Sequence, residues 1–84
     1  MYELIYSRIF VKQLSRLEKS LQKRIISALE RIRIRPEAFV TRLVGQPHYR
    51  LRVGDYRIVV DIDRGRVSIL VLYMGHRKNV YKNN

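Results

Sequence analysis

At 84 residues the chain has room for one domain and one modest core, and without cysteine it holds neither disulfides nor a thiolate zinc site. Hydrophobic residues make up 46% of it, too many for a disordered basic tail, while eighteen Lys and Arg against seven Asp and Glu leave a formal charge of +11. An excess of that size favours a polyanionic partner over a solubilising surface, which usually mixes both signs. No apolar run reaches spanning length, and Glu3 stands where a secretory signal would carry positive charge. A cytoplasmic protein is expected.

No repeat, linker or low-complexity tract divides residues 1–84, so they read as a single unit. Tyr2 to Tyr6 (YELIY) is rich in strand formers and predicts a first strand. Ser7 is then a helix cap, and Phe10, Leu14 and Leu17 recur at helical spacing. Leu21, Ile25, Leu29 and Ile32 do the same in a second helix, which must end before Pro36. Lys12, Arg16, Lys19 and Lys23 lie on the opposite faces and read individually as solvated charges. Residues 36–46 read as a loop.

Three strand-like runs follow, HYRLRV, YRIVVDI and RVSILVLYM, joined by turns at Gly54-Asp55 and Arg64-Gly65. A Gly-Asp pair between strands predicts a type II′ hairpin, with glycine supplying the positive φ of the first central position. Counting outward from it sets Val53 against Tyr56, Arg52 against Arg57, Leu51 against Ile58 and Arg50 against Val59. Counting from the second turn, where Gly65 is expected to be left-handed, sets Ile62 against Val67, Val60 against Ile69, Ile58 against Val71 and Tyr56 against Tyr73. The fold expected is α+β, in the order β-α-α-β-β-β, with a helical hairpin packed on one face of a small, mainly antiparallel four-stranded sheet.

The helices cover one face of such a sheet. The other carries Arg50, Arg52, Arg57, Val59, Asp61, Ser68, Leu70 and Leu72 in this register, and is expected to be open. Like charges placed directly opposite on a sheet are destabilising. A solvated face accounts for any single arginine, but convergent guanidinium groups suit a phosphate, which they grip bidentately.

His48 and His76 are far apart, the acids of the C-terminal half fall at or beside turns, and neither a Walker loop nor a nucleophilic cysteine is present. No metal or cofactor is expected. The chemistry left open is one in which the substrate supplies its own nucleophile, as the 2′-hydroxyl of RNA does, and arginines stabilise the charge gained at phosphorus. His76 and Tyr81 are the candidate proton movers, a histidine because it titrates near neutrality and a tyrosine because neighbouring arginines push its hydroxyl down. A polar tail residue and an aromatic anchor of the chain end are the competing readings.

The block RLVGQPHYRLRVGDYRIVVDI from Arg42 to Ile62, and the ending MGHRKNVY from Met74 to Tyr81, resemble the RelE/ParE superfamily of toxins from type II toxin–antitoxin systems, and the RelE branch more closely. In that branch the resemblance implies a ribosome-dependent endoribonuclease, an mRNA interferase that cuts messenger RNA in the decoding site without metal. In the ParE branch it implies a DNA gyrase inhibitor, and a non-catalytic basic RNA-binding domain is a third reading. By position, Arg57 and Arg77 match catalytic phosphate-binding arginines, Arg50 and Arg52 match basic strand residues that bind RNA, and Tyr81 matches a tail tyrosine. Two departures stand out: arginine replaces lysine at Arg50 and Arg52, and the tail after Gly75 is shorter. Arginine does not lose its proton at usable pH, so Tyr81 is assigned as the base and His76 as the acid. The resemblance also implies a small acidic RelB-like antitoxin as partner, beside mRNA on the ribosome.

Overall fold

A computed structural model describes residues 1–76. The chain runs β1 (Glu3–Tyr6), α1 (Arg8–Ser15), α2 (Lys19–Ile32), a 3₁₀ turn (Pro36–Ala38), β2 (Thr41–Arg42), β3 (Tyr49–Val53), β4 (Tyr56–Asp63) and β5 (Ser68–His76). The α+β architecture is as expected, but the sheet has five strands, in the order β1-β5-β4-β3-β2. It is mixed, with β1 parallel to β5 and every other pair antiparallel.

The extra strand is β2, inside the stretch read as a loop. It is only two residues long and exposed, so it leaves no alternating pattern in the sequence. A β-turn holds it against β3: Gln46 N donates to the Leu43 carbonyl at 3.3 Å, and Gly45 takes φ 73°, the left-handed conformation a type II turn requires of its third residue.

The Ser7 side chain caps α1 by accepting from Phe10 N at 3.0 Å. Phe10, Ile25, Leu29 and Ile32 of the two helices are fully buried against Leu51, Val53, Ile58, Val60, Ile62, Ile69, Val71 and Met74 of the sheet. All these packed side chains lie on one face, so the other face is left uncovered by helix. No helix among the described residues is long and apolar enough to cross a membrane.

The β3–β4 register is the one expected from the Gly54-Asp55 turn, with Arg52 opposite Arg57 and φ +58° at Gly54. The β4–β5 register is not. Ile62 pairs with Ile69, not Val67, because the connection takes in Arg64 to Val67 and not two residues alone. Its left-handed residue is Val67, at φ 52°, and not Gly65. Farther along, a bulge shifts the register between Val59 and Val60, so that Val60 faces Val71 while Val59 faces Tyr73. The extra residue, Leu72, reverses the alternation beyond it. Met74 therefore packs in the core opposite Ile58, and Tyr73, expected inside, stands exposed on the open face. Val59, expected to be exposed there, is buried between its cross-strand neighbours Arg50 and Tyr73, whose long side chains flank it.

A β-branched residue in the left-handed region is strained by about 1–2 kcal/mol. Val67 is exposed and its hydrogen bond, from Glu3 N to its carbonyl at 2.9 Å, uses the backbone alone. Val67→Gly is expected to raise stability by about 0.5–1 kcal/mol after the entropy of glycine in the unfolded chain is subtracted. Thermal unfolding should register it as a rise of about 4 °C in Tm.

Candidate functional site

Arg50 and Arg52 on β3 and Arg57 on β4 point to the open face, since each alternates with a core residue: Leu51 and Val53 on one strand, Ile58 on the other. A two-residue turn makes Val53 and Tyr56 the hydrogen-bonded pair at the hairpin end. Arg52 and Arg57 then form the closer, non-hydrogen-bonded pair, with Cα atoms about 4.5 Å apart. Two guanidinium groups launched from so near together repel. Arg52 eases this by leaning along the strand, where its Nε donates to the Gly54 carbonyl at 3.3 Å. Neither Arg50 nor Arg52 makes an ion pair among the described residues.

Opposite Arg57 on its other side is Gly75, which brings no side chain to the open face at that point. Tyr73, Leu70 and Ile5 continue the face across β5 and β1 as an apolar strip beside the arginines. The site is thus a cationic half next to a half with an aromatic ring.

His76 is elsewhere. It pairs with Tyr56, and the two rings meet edge to face with centroids 5.1 Å apart. Tyr56 packs against the core from the helix side, so His76 lies on the face opposite Arg57. The structure brings together Arg50, Arg52 and Arg57, and does not bring His76 to them. Arg77 and Tyr81 lie outside the described residues. Among the described residues no three of His, Asp and Glu converge as metal ligands would.

Two polar residues of α1 hold the strand that leads to the tail. The Ser7 hydroxyl donates to the Leu72 carbonyl at the bulge, and Ser7 N donates to the Val71 carbonyl at 3.0 Å. Beyond the point where β1 ends, Gln13 takes over as the lateral partner of β5. Its Nε2 donates to the Met74 carbonyl and its Oε1 accepts from Met74 N, both at 2.8 Å. The amide side chain thus pairs with both backbone groups of one residue as a neighbouring strand would. Sequence reasoning passed over Gln13, although an uncharged polar residue three positions after Phe10, on the apolar stripe of α1, is a signal that a backbone partner lies beneath it.

Gln13→Ala leaves both groups of Met74 without that partner in a half-buried place. It is expected to cost about 1–3 kcal/mol in chemical denaturation. Amide exchange should quicken at Met74 and its neighbours more than in β3.

Comparison with known proteins accords with this architecture. The chain superimposes on the archaeal RelE–RelB complex from Pyrococcus horikoshii with a TM-score of 0.79 and 28% identity, over 90% of this chain and 94% of that one. It matches the intact E. coli RelBE toxin–antitoxin complex with the same TM-score of 0.79 at 22% identity, over 90% of this chain and 96% of that one. The isolated E. coli RelE toxin gives 0.77 at 20% identity, over 99% and 94%. At those last two identities the likeness is one of fold. No match was found among curated protein sequences. The family model of the ParE toxin of the type II toxin–antitoxin system parDE matches residues 4–81, nearly the whole chain, and the chain belongs to that family of toxins.

Proposed function

We propose that this toxin works as the RelE proteins it resembles in fold are expected to: as a ribosome-dependent endoribonuclease that cuts messenger RNA in the decoding site. The observation that carries the reading is the arginine pair, Arg52 directly opposite Arg57 with Arg50 on the same face. Guanidinium groups gathered on one face suit a phosphate, which they grip bidentately, and a scissile phosphate is the anion such a cluster would take. The 2′-oxygen attacks the adjacent phosphorus, the bond from phosphorus to the 5′-oxygen breaks, and the products carry a 2′,3′-cyclic phosphate and a 5′-hydroxyl. Arg57 and Arg77 stabilise the negative charge that builds on the phosphoryl oxygens, where a fixed donor acts most strongly. Arg50 and Arg52 hold the flanking backbone. Tyr81 takes the 2′ proton. The sequence nominates His76 for the proton delivered to the 5′-oxygen, while its contact with Tyr56 supports a second role, fixing the end of β5 from which the tail departs.

An acidic antitoxin of RelB type, whose flexible segment folds onto the basic surface, completes the system. The solved complexes of RelE with RelB support it.

The family model gives a second reading, gyrase inhibition, because the toxins it describes are ParE toxins. A translation extract and a supercoiling assay separate the two. Cleavage of message only when ribosomes are present, with gyrase unaffected, is the outcome of the first reading. Intact message with blocked supercoiling is the outcome of the second.

A further inference from the structure

A groove of about 460 Å³ runs between α2 and the tip of the β3–β4 hairpin, lined by Lys23, Arg24, Ser27, Ala28, Arg31, Arg52, Val53 and Gly54. Its cations come from both walls. Lys23 and Arg24 stand at one end of the α2 wall and Arg31 seven residues beyond Arg24, about 10 Å along the helix. The small side chains of Ser27 and Ala28 line the groove between them. Arg52 comes from the hairpin wall.

No carboxylate lines this groove, and none of its four cations makes an ion pair among the described residues. The acid on the same stretch of α2, Glu30, is engaged by Arg33 at 2.8 Å. The Arg24 guanidinium faces the turn at Gly54: a Cβ placed on that glycine would stand 3.5 Å from an Nη atom, an ordinary van der Waals distance. A concave site with four cations and no counter-charge is held together against its own repulsion by the fold.

We propose that this groove is a second phosphate-binding site, which takes the sugar–phosphate backbone of an RNA strand. The inference rests on the nuclease reading for its partner and extends it away from the scissile phosphate. Arg52 belongs to both places: it lies on the open face with Arg57 and lines the groove at the hairpin tip. A strand gripped at the open face can thus pass over the tip and into the groove without leaving cationic surface. Guanidinium forks contributed by both walls of a groove suit phosphate oxygens. An acidic protein segment fits less well, because folding on binding requires apolar area to offset the ordering of the chain. The lining here offers little: Val53 is already buried in the core, and Ser27 and Ala28 are small.

The test measures binding of the full-length toxin to a short single-stranded RNA of mixed sequence, and to a polyglutamate peptide of equal charge, over a range of salt. The groove variant is Arg24→Gln with Arg31→Gln. The control is Lys12→Gln with Lys19→Gln, an equal loss of charge from exposed helix positions outside the groove. All four positions are exposed, and circular dichroism melts establish that both variants are folded. The slope of log affinity against log salt for RNA should become shallower by about 1.4 in the groove variant, about 0.7 for each phosphate no longer neutralised, and by much less in the control. Equal changes in the two variants overturn the proposal. So does a groove variant that binds RNA as the parent does but loses the peptide, which would make the groove a place for an acidic protein. The slope is read without any cleavage, so a toxin that fails to cut message sinks the nuclease reading and leaves this measurement to decide the groove.

Discussion

Replacing Arg57 by Ala is expected to lower the single-turnover rate of message cleavage on the ribosome by about a hundredfold or more. Ribosome affinity should change little, since one charge among eighteen basic residues supplies a small share of a distributed, salt-dependent attraction. The same substitution removes one member of the like-charged pair with Arg52. Relief of that repulsion is expected to offset part of what the side chain's own contacts contribute to stability. A thermal melt beside the cleavage assay reads both. A slow enzyme that remains folded at the assay temperature marks a cation kept for its work on the substrate. A variant that melts early and cuts at the parent rate would assign Arg57 to the fold.

Tyr81→Phe is expected to cost a similar factor, because it keeps the ring and removes only the hydroxyl proposed to take the 2′ proton. A tyrosine that merely packs tolerates that change. His76→Phe is the natural companion, since it keeps an aromatic ring against Tyr56 and removes both nitrogens. If His76 fixes the end of β5, the phenylalanine variant cuts at close to the parent rate. If it protonates the leaving oxygen, that variant falls as far as Tyr81→Phe.

These expectations differ in how directly the sequence supports them, and the reasons are local. The Arg52–Arg57 pair was legible because a two-residue Gly-Asp turn leaves a single way to count outward. The helices were legible because Phe10 and Leu14 recur on one stripe of α1, Ile25, Leu29 and Ile32 on one stripe of α2, and Pro36 bars the second helix from continuing. The last strand was not, because SILVLYM is apolar at both parities and either alternation would fill a core. An unbroken alternation that puts Tyr73 inside would carry His76 to the arginine face. The bulge at Leu72, pinned by Ser7, puts Met74 inside and carries His76 to the helix side. The strand β2 escaped notice because two exposed residues show no period, and the left-handed Val67 because a β-branched residue is the last to be expected there. The contact of Gln13 with Met74 joins residues sixty-one apart in the chain, beyond the reach of any local pattern.

The central claim is that this surface lets an RNA strand cut itself on the ribosome. The direct measurement uses two messages, identical except that one has a 2′-deoxy residue at the mapped cleavage position, each bound to ribosomes and mixed with excess toxin. The all-ribose message is expected to be cut to a fragment beginning with a 5′-hydroxyl, and the deoxy-substituted message to stay whole at that position. Cleavage of both, or of neither, would contradict the claim.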